Sequence, residues 1–296
     1  MFLGYALQHL TSPDSTVVAS IQFQPEFGAV AANLDVMERL IRQAAERGAS
    51  VHVLPELADT GYVFERQEEL EAVAGAVPQG ESARRLIALS EELSVYIACG
   101  LAERDGDDFF NAAILAGPNG FIGKYRKLHL WNRETLFFQP GNLGLPVFDT
   151  PVGLIGLAIC YDGWFPETFR ALALGGAQLV CVPTNWVPMA GQAEGEESIA
   201  NTLIRAAAHS NGIYIAAADR IGVERGQPFI GRSLIVGPDG LALAGPASAA
   251  NQEIILARAQ LGSVESSRKL NQFNNVLGDR RTDIYGTDPS LSENNE

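Results

Sequence analysis

Three residue types in this chain can do chemistry together: a thiol at Cys160, a carboxylate at Glu56 and an ammonium at Lys127. The stretch GLIGLAICYDGWFPE, from Gly153 to Glu167, reads as a buried strand that stops at Cys160 and turns at once into a helix. A cysteine in that place sits at the top of a sheet, with backbone N–H groups of the following turn near its sulfur. That suits a nucleophile. A thiol nucleophile needs a base and a stabiliser for the oxyanion it creates. Histidine is the usual base, but none of His9, His52, His129 and His209 stands in a recognisable cysteine–histidine protease context. His52, in a strand-like run, reads as structural. His129 reads as support for Lys127-Leu128, and His209 as a helix-surface or core residue.

A carboxylate can serve instead. Glu56 closes the apolar run VHVLPE, at the carboxyl end of a buried strand, where α/β active sites form. Partial burial would raise its proton affinity into the range useful for a general base. Taken alone, Glu56 is equally a capping or loop carboxylate. Lys127 lies in GKYRKLHL, where alternation places Tyr125, Lys127 and His129 on one face and Lys124, Arg126 and Leu128 on the other. A lysine in a basic run is ordinarily a solvated charge, but here it shares its face with aromatic groups.

The elements that must position these residues follow from hydrophobic period and turn chemistry. Residues 17–23 predict a strand. Asn33 is expected to cap a helix whose apolar face is Leu34, Met37, Leu40, Ile41, Ala44 and Ala45, stopped by Gly48. Strands follow over 50–55 and 95–101, with a helix over 81–93 between them. Next comes a hairpin of AAILAG and FIGKYRKLHL around Pro118-Asn119-Gly120. The second half repeats this grammar: strand 152–160, helix 166–175, strand 178–183, helix 196–211 and strand 213–218. RSLIVG then turns at Pro238-Asp239-Gly240 into LALAG, and QEIILARA is a last strand. The matching turns suggest an internal pseudo-symmetry, with two mixed sheets and helices outside them in one α/β domain.

The segments LPELADTGYVF, GKYRKLHLWNRETLFFQPGN and GLAICYDGWFPE together resemble the three signature blocks of the nitrilase superfamily, the carbon–nitrogen hydrolases. Their order and separation also fit, and the likeness runs from about residue 17 to about 286. The resemblance implies an αββα sandwich that pairs in a dimer or larger homo-oligomer. It implies a catalytic Glu56–Lys127–Cys160 triad, with Glu134 beside the lysine, and no cofactor. Glu56 would take the thiol proton, and Lys127 with the Tyr161 backbone N–H would hold the oxyanion. In this family the loop Pro183-Thr184-Asn185-Trp186 borders the substrate pocket. Asn185 would bond the substrate amide and Trp186 would wall its acyl group, the alternative being a loop turn with core packing; Tyr62 and Phe64 read equally as further walls or as packing. Many dedicated nitrilases carry Cys-Trp-Glu at the nucleophile. Cys160-Tyr161-Asp162 looks more like the amidase and carbamoylase branches, so an amidase is expected, with a nitrilase as the alternative. The segment from Glu265 to Arg281 resembles one that contributes to subunit contacts. Ser210-Asn211 departs from the Glu-Asn of many relatives.

Composition bounds the alternatives. The 296 residues are 47% hydrophobic and 19% charged, as in a globular chain. A formal net charge of −14 without a basic cluster disfavours nucleic acid or an anionic membrane as partner. HExxH, GxSxG and CxxC are absent, and no clustered ligands at metal spacing occur. Gly117 to Lys124 resembles a phosphate loop only superficially, with Tyr125 where Ser or Thr is needed. Three cysteines are too few and too scattered for a disulfide framework; Cys99 and Cys181 read as buried, inert thiols. With no signal-like N-terminus and no long apolar run, a cytoplasmic protein is expected. Residues 1–16 are expected to form an arm, 17–286 the catalytic domain and 287–296 a disordered tail.

Overall fold

The computed structural model describes residues 15–191 and 197–285. Of the expected arm only its last two residues fall within that range, and the expected tail lies outside it. The chain runs β1 (Thr16–Gln22), α1 (Val30–Glu46), β2 (Val51–Val53), α2 (Gln67–Val73), α3 (Glu81–Leu93), β3 (Tyr96–Asp105), β4 (Asp108–Gly117) and β5 (Gly120–Arg126). It continues through β6 (Val147–Thr150), β7 (Gly153–Leu157), α4 (Pro166–Leu174), β8 (Leu179–Pro183), α5 (Ile199–Asn211) and β9 (Tyr214–Ala218). The remaining elements are β10 (Val223–Glu224), β11 (Gln227–Pro228), β12 (Leu234–Val236), β13 (Ala242–Ala244), β14 (Glu253–Ala259) and α6 (Val264–Ser267).

Two six-stranded sheets form, in the orders β14-β1-β2-β3-β4-β5 and β13-β12-β9-β8-β7-β6. In each, three central strands are parallel and the flanking ones antiparallel. Alternation along β1 shows the layering. Ala19 and Ile21 pack with Leu34, Met37 and Leu86 of α1 and α3, whereas Val18 joins the core shared with the second sheet. Leu172 of α4 and Ile204 of α5 pack in that same core from the far side. The result is the expected αββα sandwich.

Several local expectations need correction. Asn33 does not cap α1, which begins at Val30 after Ala29. One turn in, the Asn33 side chain instead locks a loop: it accepts from Glu26 N (2.8 Å) and donates to Glu26 O (2.7 Å) and Asp59 O (2.9 Å). The strand expected to run on to Leu130 ends at Arg126. Lys127 N still donates to Asn111 O (2.8 Å), but Lys127 O accepts from Gly141 N (2.8 Å) of an inserted loop, which takes the chain off the ladder. The helix expected from residue 196 starts at Ile199, where the Ser198 side chain accepts from Asn201 N. The elements α2, β6, α6 and the short hairpin β10–β11 were not anticipated.

Candidate active site

Glu56 stands three residues beyond β2, in chain that still pairs with its neighbour. Leu54 N donates to Ala98 O (2.9 Å), Gly100 N to Pro55 O (3.0 Å) and Ala58 N to Gly100 O (2.9 Å). This close approach requires glycine: a Cβ on Gly100 would lie 2.4 Å from Glu56 Cα. The carboxylate is fully buried. Its Oε1 accepts from Lys127 Nζ and from Asn111 Nδ2, each at 2.6 Å. Among the described residues its Oε2 has no hydrogen-bond partner.

Lys127 Nζ also donates to both oxygens of Glu134, at 2.7 and 2.8 Å. Glu134 lies in a 3-10 turn, Asn132–Leu136, where it further accepts from Trp131 N (3.2 Å) and from the Tyr62 hydroxyl (2.6 Å). Lys127 is thus an ammonium buried between two carboxylates. Burial alone would lower its pKa, but the charges of Glu134 and Glu56 outweigh it and hold the amine protonated.

Cys160 opens a second 3-10 turn, Cys160–Trp164, at φ +45. Positive φ in a non-glycine residue is strained. Leu57 (φ +46) and Asn132 (φ +51), beside Glu56 and Glu134, share it. Asp162 holds the Cys160 turn in place. Its Oδ2 accepts from Ile159 N (2.9 Å) and the Tyr125 hydroxyl (2.7 Å), and its Oδ1 from His129 N (3.1 Å). His129 Nδ1 lies 2.7 Å from the same Oδ1, and its ring stacks on Phe165 at 3.6 Å. The segment that presents Lys127 is thereby tied to the turn that presents Cys160. Tyr125 and His129 do converge, on Asp162, although the strand has ended.

The electrostatics of the pair are complementary. Burial pushes the Glu56 carboxyl up to about 7, against the pull of Lys127. Burial and the Glu56 charge push the Cys160 thiol up, against Lys127 and the Asn185 backbone N–H. The resting thiol therefore keeps its proton, and a carboxylate whose proton affinity burial has raised stands beside it.

Asn185 Nδ2 donates to Glu56 O (2.8 Å), while its Oδ1 is buried and unpartnered among the described residues. Trp186 is buried, its backbone N–H donating to Asp219 Oδ1 (2.8 Å). A small cavity over Cys160 is walled by Trp131, Tyr161, Trp164, Trp186, Val187 and Met189. A neighbouring one shares Trp131 and Val187 and reaches Tyr62, Phe64 and Glu134. The Tyr161 ring packs edge-on against Trp131 at 4.8 Å. Phe64 is mainly core, packed with Phe27 and Phe138.

Sequence reasoning missed Asn111, Tyr125 and the anchoring carboxylate of Asp162. A lone amide in the apolar strand DFFNAAILAG was the available signal for Asn111. Among the described residues no cluster suited to a metal ion occurs, and no helix is long and apolar enough to cross a membrane. Cys99 and Cys181 are buried free thiols. His52 is buried, and His209 lies on the exposed face of α5.

The sequence profile of the carbon-nitrogen hydrolases matches residues 17–269. The chain belongs to that family. It is 42% identical over 269 residues to a protein named nitrilase from Pyrococcus abyssi, covering 90% of this chain and 98% of that one. Its fold is similar to that of a carbon-nitrogen hydrolase from Helicobacter pylori G27 (TM-score 0.83, 27% identity, 95% of this chain and 99% of that one). It is also similar to a mutant amidase from Nesterenkonia sp. AN1 carrying acrylamide added at its active-site cysteine (TM-score 0.74, 27% identity, 91% of this chain and 98% of that one). As a carbon-nitrogen hydrolase, the chain is an enzyme of C–N bond cleavage, with the two mixed sheets and outer helices of its structural neighbours.

Proposed function

We propose that this carbon-nitrogen hydrolase is an amidase that converts a small carboxamide to the carboxylic acid and ammonia through a Cys160 thioester. The observation that carries this reading is the ammonium of Lys127, buried between Glu56 and Glu134 beside the buried thiol. A buried ion pair adds little net stability, because desolvation offsets its attraction, so a functional role is the better account of this triad of charges.

Glu56 takes the Cys160 proton as the sulfur attacks the amide carbon. The electron pair of the C=O bond moves to oxygen, where Lys127 and the Tyr161 backbone N–H hold it. The intermediate collapses, the C–N bond breaks, and Glu56 passes its proton to the departing ammonia. The thioester remains on Cys160. Water, deprotonated by Glu56, adds to it, and the sulfur leaves with that proton as the acid is released. Glu134 keeps Lys127 charged and aimed. Asn185 Oδ1, buried without a partner among the described residues, is an acceptor available to the substrate N–H. Trp186 and Tyr161 wall the acyl group, and Tyr62 acts through Glu134. No cofactor enters these steps.

A nitrilase is the second reading, favoured by the name of the Pyrococcus abyssi relative. A nitrile would give a thioimidate first and then join the same route. Ammonia release from matched pairs of small amides and nitriles decides between them: the amide of each pair should turn over faster, and a nitrile-only profile would reverse the order. We further propose a cytoplasmic enzyme with its catalytic domain over 17–286, working as a homodimer or larger. Exposed Leu270 and Phe273, in the segment from Glu265 to Arg281, support the oligomer.

A further inference from the structure

We propose that Glu224 is a positioning residue: from the second half of the chain it fixes the main chain at Tyr62, and through the Tyr62 phenol it fixes Glu134 and Lys127. The inference rests on the roles proposed above for Lys127 and Glu134.

Glu224 lies on β10, far in sequence from every signature block. Its Oε1 accepts from two successive backbone N–H groups, Tyr62 N at 2.8 Å and Val63 N at 2.6 Å. Its Oε2 accepts from the Arg220 guanidinium at 2.6 Å. Arg220 is itself fully buried, donates to Pro25 O (3.2 Å), and lies over the Phe229 ring at 4.2 Å. Phe229 in turn meets the Tyr62 ring edge-on, with centroids 5.8 Å apart and planes at 88°. Arg225 closes the grip from outside by donating to Val63 O (3.1 Å).

The loop is shaped for this carboxylate. Gly61 has φ +82, and a Cβ on it would lie 2.9 Å from Glu224 Oε2 and 2.8 Å from Phe27 Cα. From Tyr62 the chain of contacts continues without a gap: its hydroxyl donates to Glu134 Oε1 (2.6 Å), and Glu134 takes Lys127 with both oxygens. A buried ion pair such as Arg220–Glu224 is poor evidence for stability, because desolvation offsets its attraction. Two converging main-chain N–H groups and an edge-on ring are instead what fixing one phenol requires. Misplacing a catalytic group by about 1 Å costs on the order of 100-fold in rate.

The test is a double-mutant cycle on steady-state kinetics of the intact chain, with its best amide or nitrile as substrate. Tyr62→Phe should lower kcat about 10- to 100-fold, and Glu224→Ala about 10-fold, with KM within about twofold in both. Because both act through one hydroxyl, the double variant should be no slower than Tyr62→Phe alone. A Glu224→Ala variant with unchanged kcat, or one whose loss multiplies that of Tyr62→Phe, overturns the proposal, since a merely structural residue would add its effect. Should Glu224→Ala not fold, Glu224→Leu and Phe229→Leu enter the same cycle under the same criteria. Lys127→Ala separates the two claims. If it retains wild-type kcat, the proposed function fails. If it is inactive while the cycle is multiplicative, only the role of Glu224 fails.

Discussion

Matched on their strand pairings, the three parallel strands of one half correspond in register to those of the other. Val18, Val51 and Tyr96 stand side by side in the first sheet as Ile155, Leu179 and Tyr214 do in the second. Counting forward from these registers sets Pro55 against Pro183, Glu56 against Thr184 and Phe23 against Cys160. One half therefore ends its first strand on a buried phenylalanine and the other on a buried thiol. One ends its second strand on a carboxylate and the other on a hydroxyl. The two members of that second pair touch, Glu56 N donating to Thr184 O at 3.3 Å. Where the first half ends in Phe23, the second places the structural pair Arg220–Glu224; where the second half ends in Cys160, the first places Glu56, Lys127 and Glu134. A repeated strand arrangement offers two comparable strand ends, and side chains at a few positions make them different. In the proposed mechanism the halves divide the labour, the first supplying the charged groups Glu56, Lys127 and Glu134 and the second the thiol of Cys160.

Copying the silent half into the active one should show the largest effect. Glu56→Thr removes the base and leaves Lys127 and Asn111 without their shared acceptor, so kcat should fall about 10³- to 10⁴-fold. A loss below tenfold would mean that the carboxylate is not the base.

The anchor of the nucleophile turn should come next. The position matching Asp162 is Pro25, so the first half has no such carboxylate. Asp162→Asn cannot accept from Ile159 N and His129 N with both of its side-chain atoms, and kcat should fall roughly 10- to 100-fold with KM little changed. Unchanged kcat would show that Asp162 does not set the Cys160 turn.

A smaller, graded signature is the pH profile. Glu56 must be ionised to act as base, and burial lifts its pKa to about 7. Acid-limb kcat/KM should therefore rise with pH up to about 7 and then level, and in a Tyr62→Phe variant the midpoint should move. A midpoint near the ordinary carboxylate value would contradict burial as the controlling influence.

The least effect on rate and a clear one on stability are expected at His52. Its counterpart is Val180. Burial pushes the His52 pKa from 6.5 down to about 4. The folded state thus binds the proton less tightly than the unfolded one. Its contribution is fully present above pH 6.5 and is lost as pH falls toward 4, by up to about 3 kcal/mol. His52→Val should flatten the Tm-against-pH curve across that window, and an unchanged slope would assign the acid sensitivity elsewhere.

The scaffold was legible wherever one local pattern determined the outcome. The helix α3 spans Glu81–Leu93 as its apolar period indicates, and the strand order makes the duplicated grammar real. The αββα reading followed, as did the family, because each signature block joins an apolar strand end to polar residues with no packing reason to be there. What stayed hidden depends on tertiary contact. Asn33 has the composition of a cap, but Asp59 O, 26 residues away, draws its side chain inward. GKYRKLHL alternates like a strand throughout, yet the loop carrying Gly141 ends it at Arg126. Tyr62 looks like a pocket wall from composition, and only the fold shows its hydroxyl on Glu134. The two-residue strands of β10–β11, paired only with each other, are too short to carry a periodic signal.

The most direct test of the account is covalent. During turnover of a small amide, an acid quench followed by intact mass and peptide mapping should find the acyl group, less ammonia, on the peptide bearing Cys160. Cys160→Ala should carry no adduct and release no ammonia. Turnover that persists in Cys160→Ala, or an acyl group mapped to Cys99, Cys181 or any other residue, would contradict it.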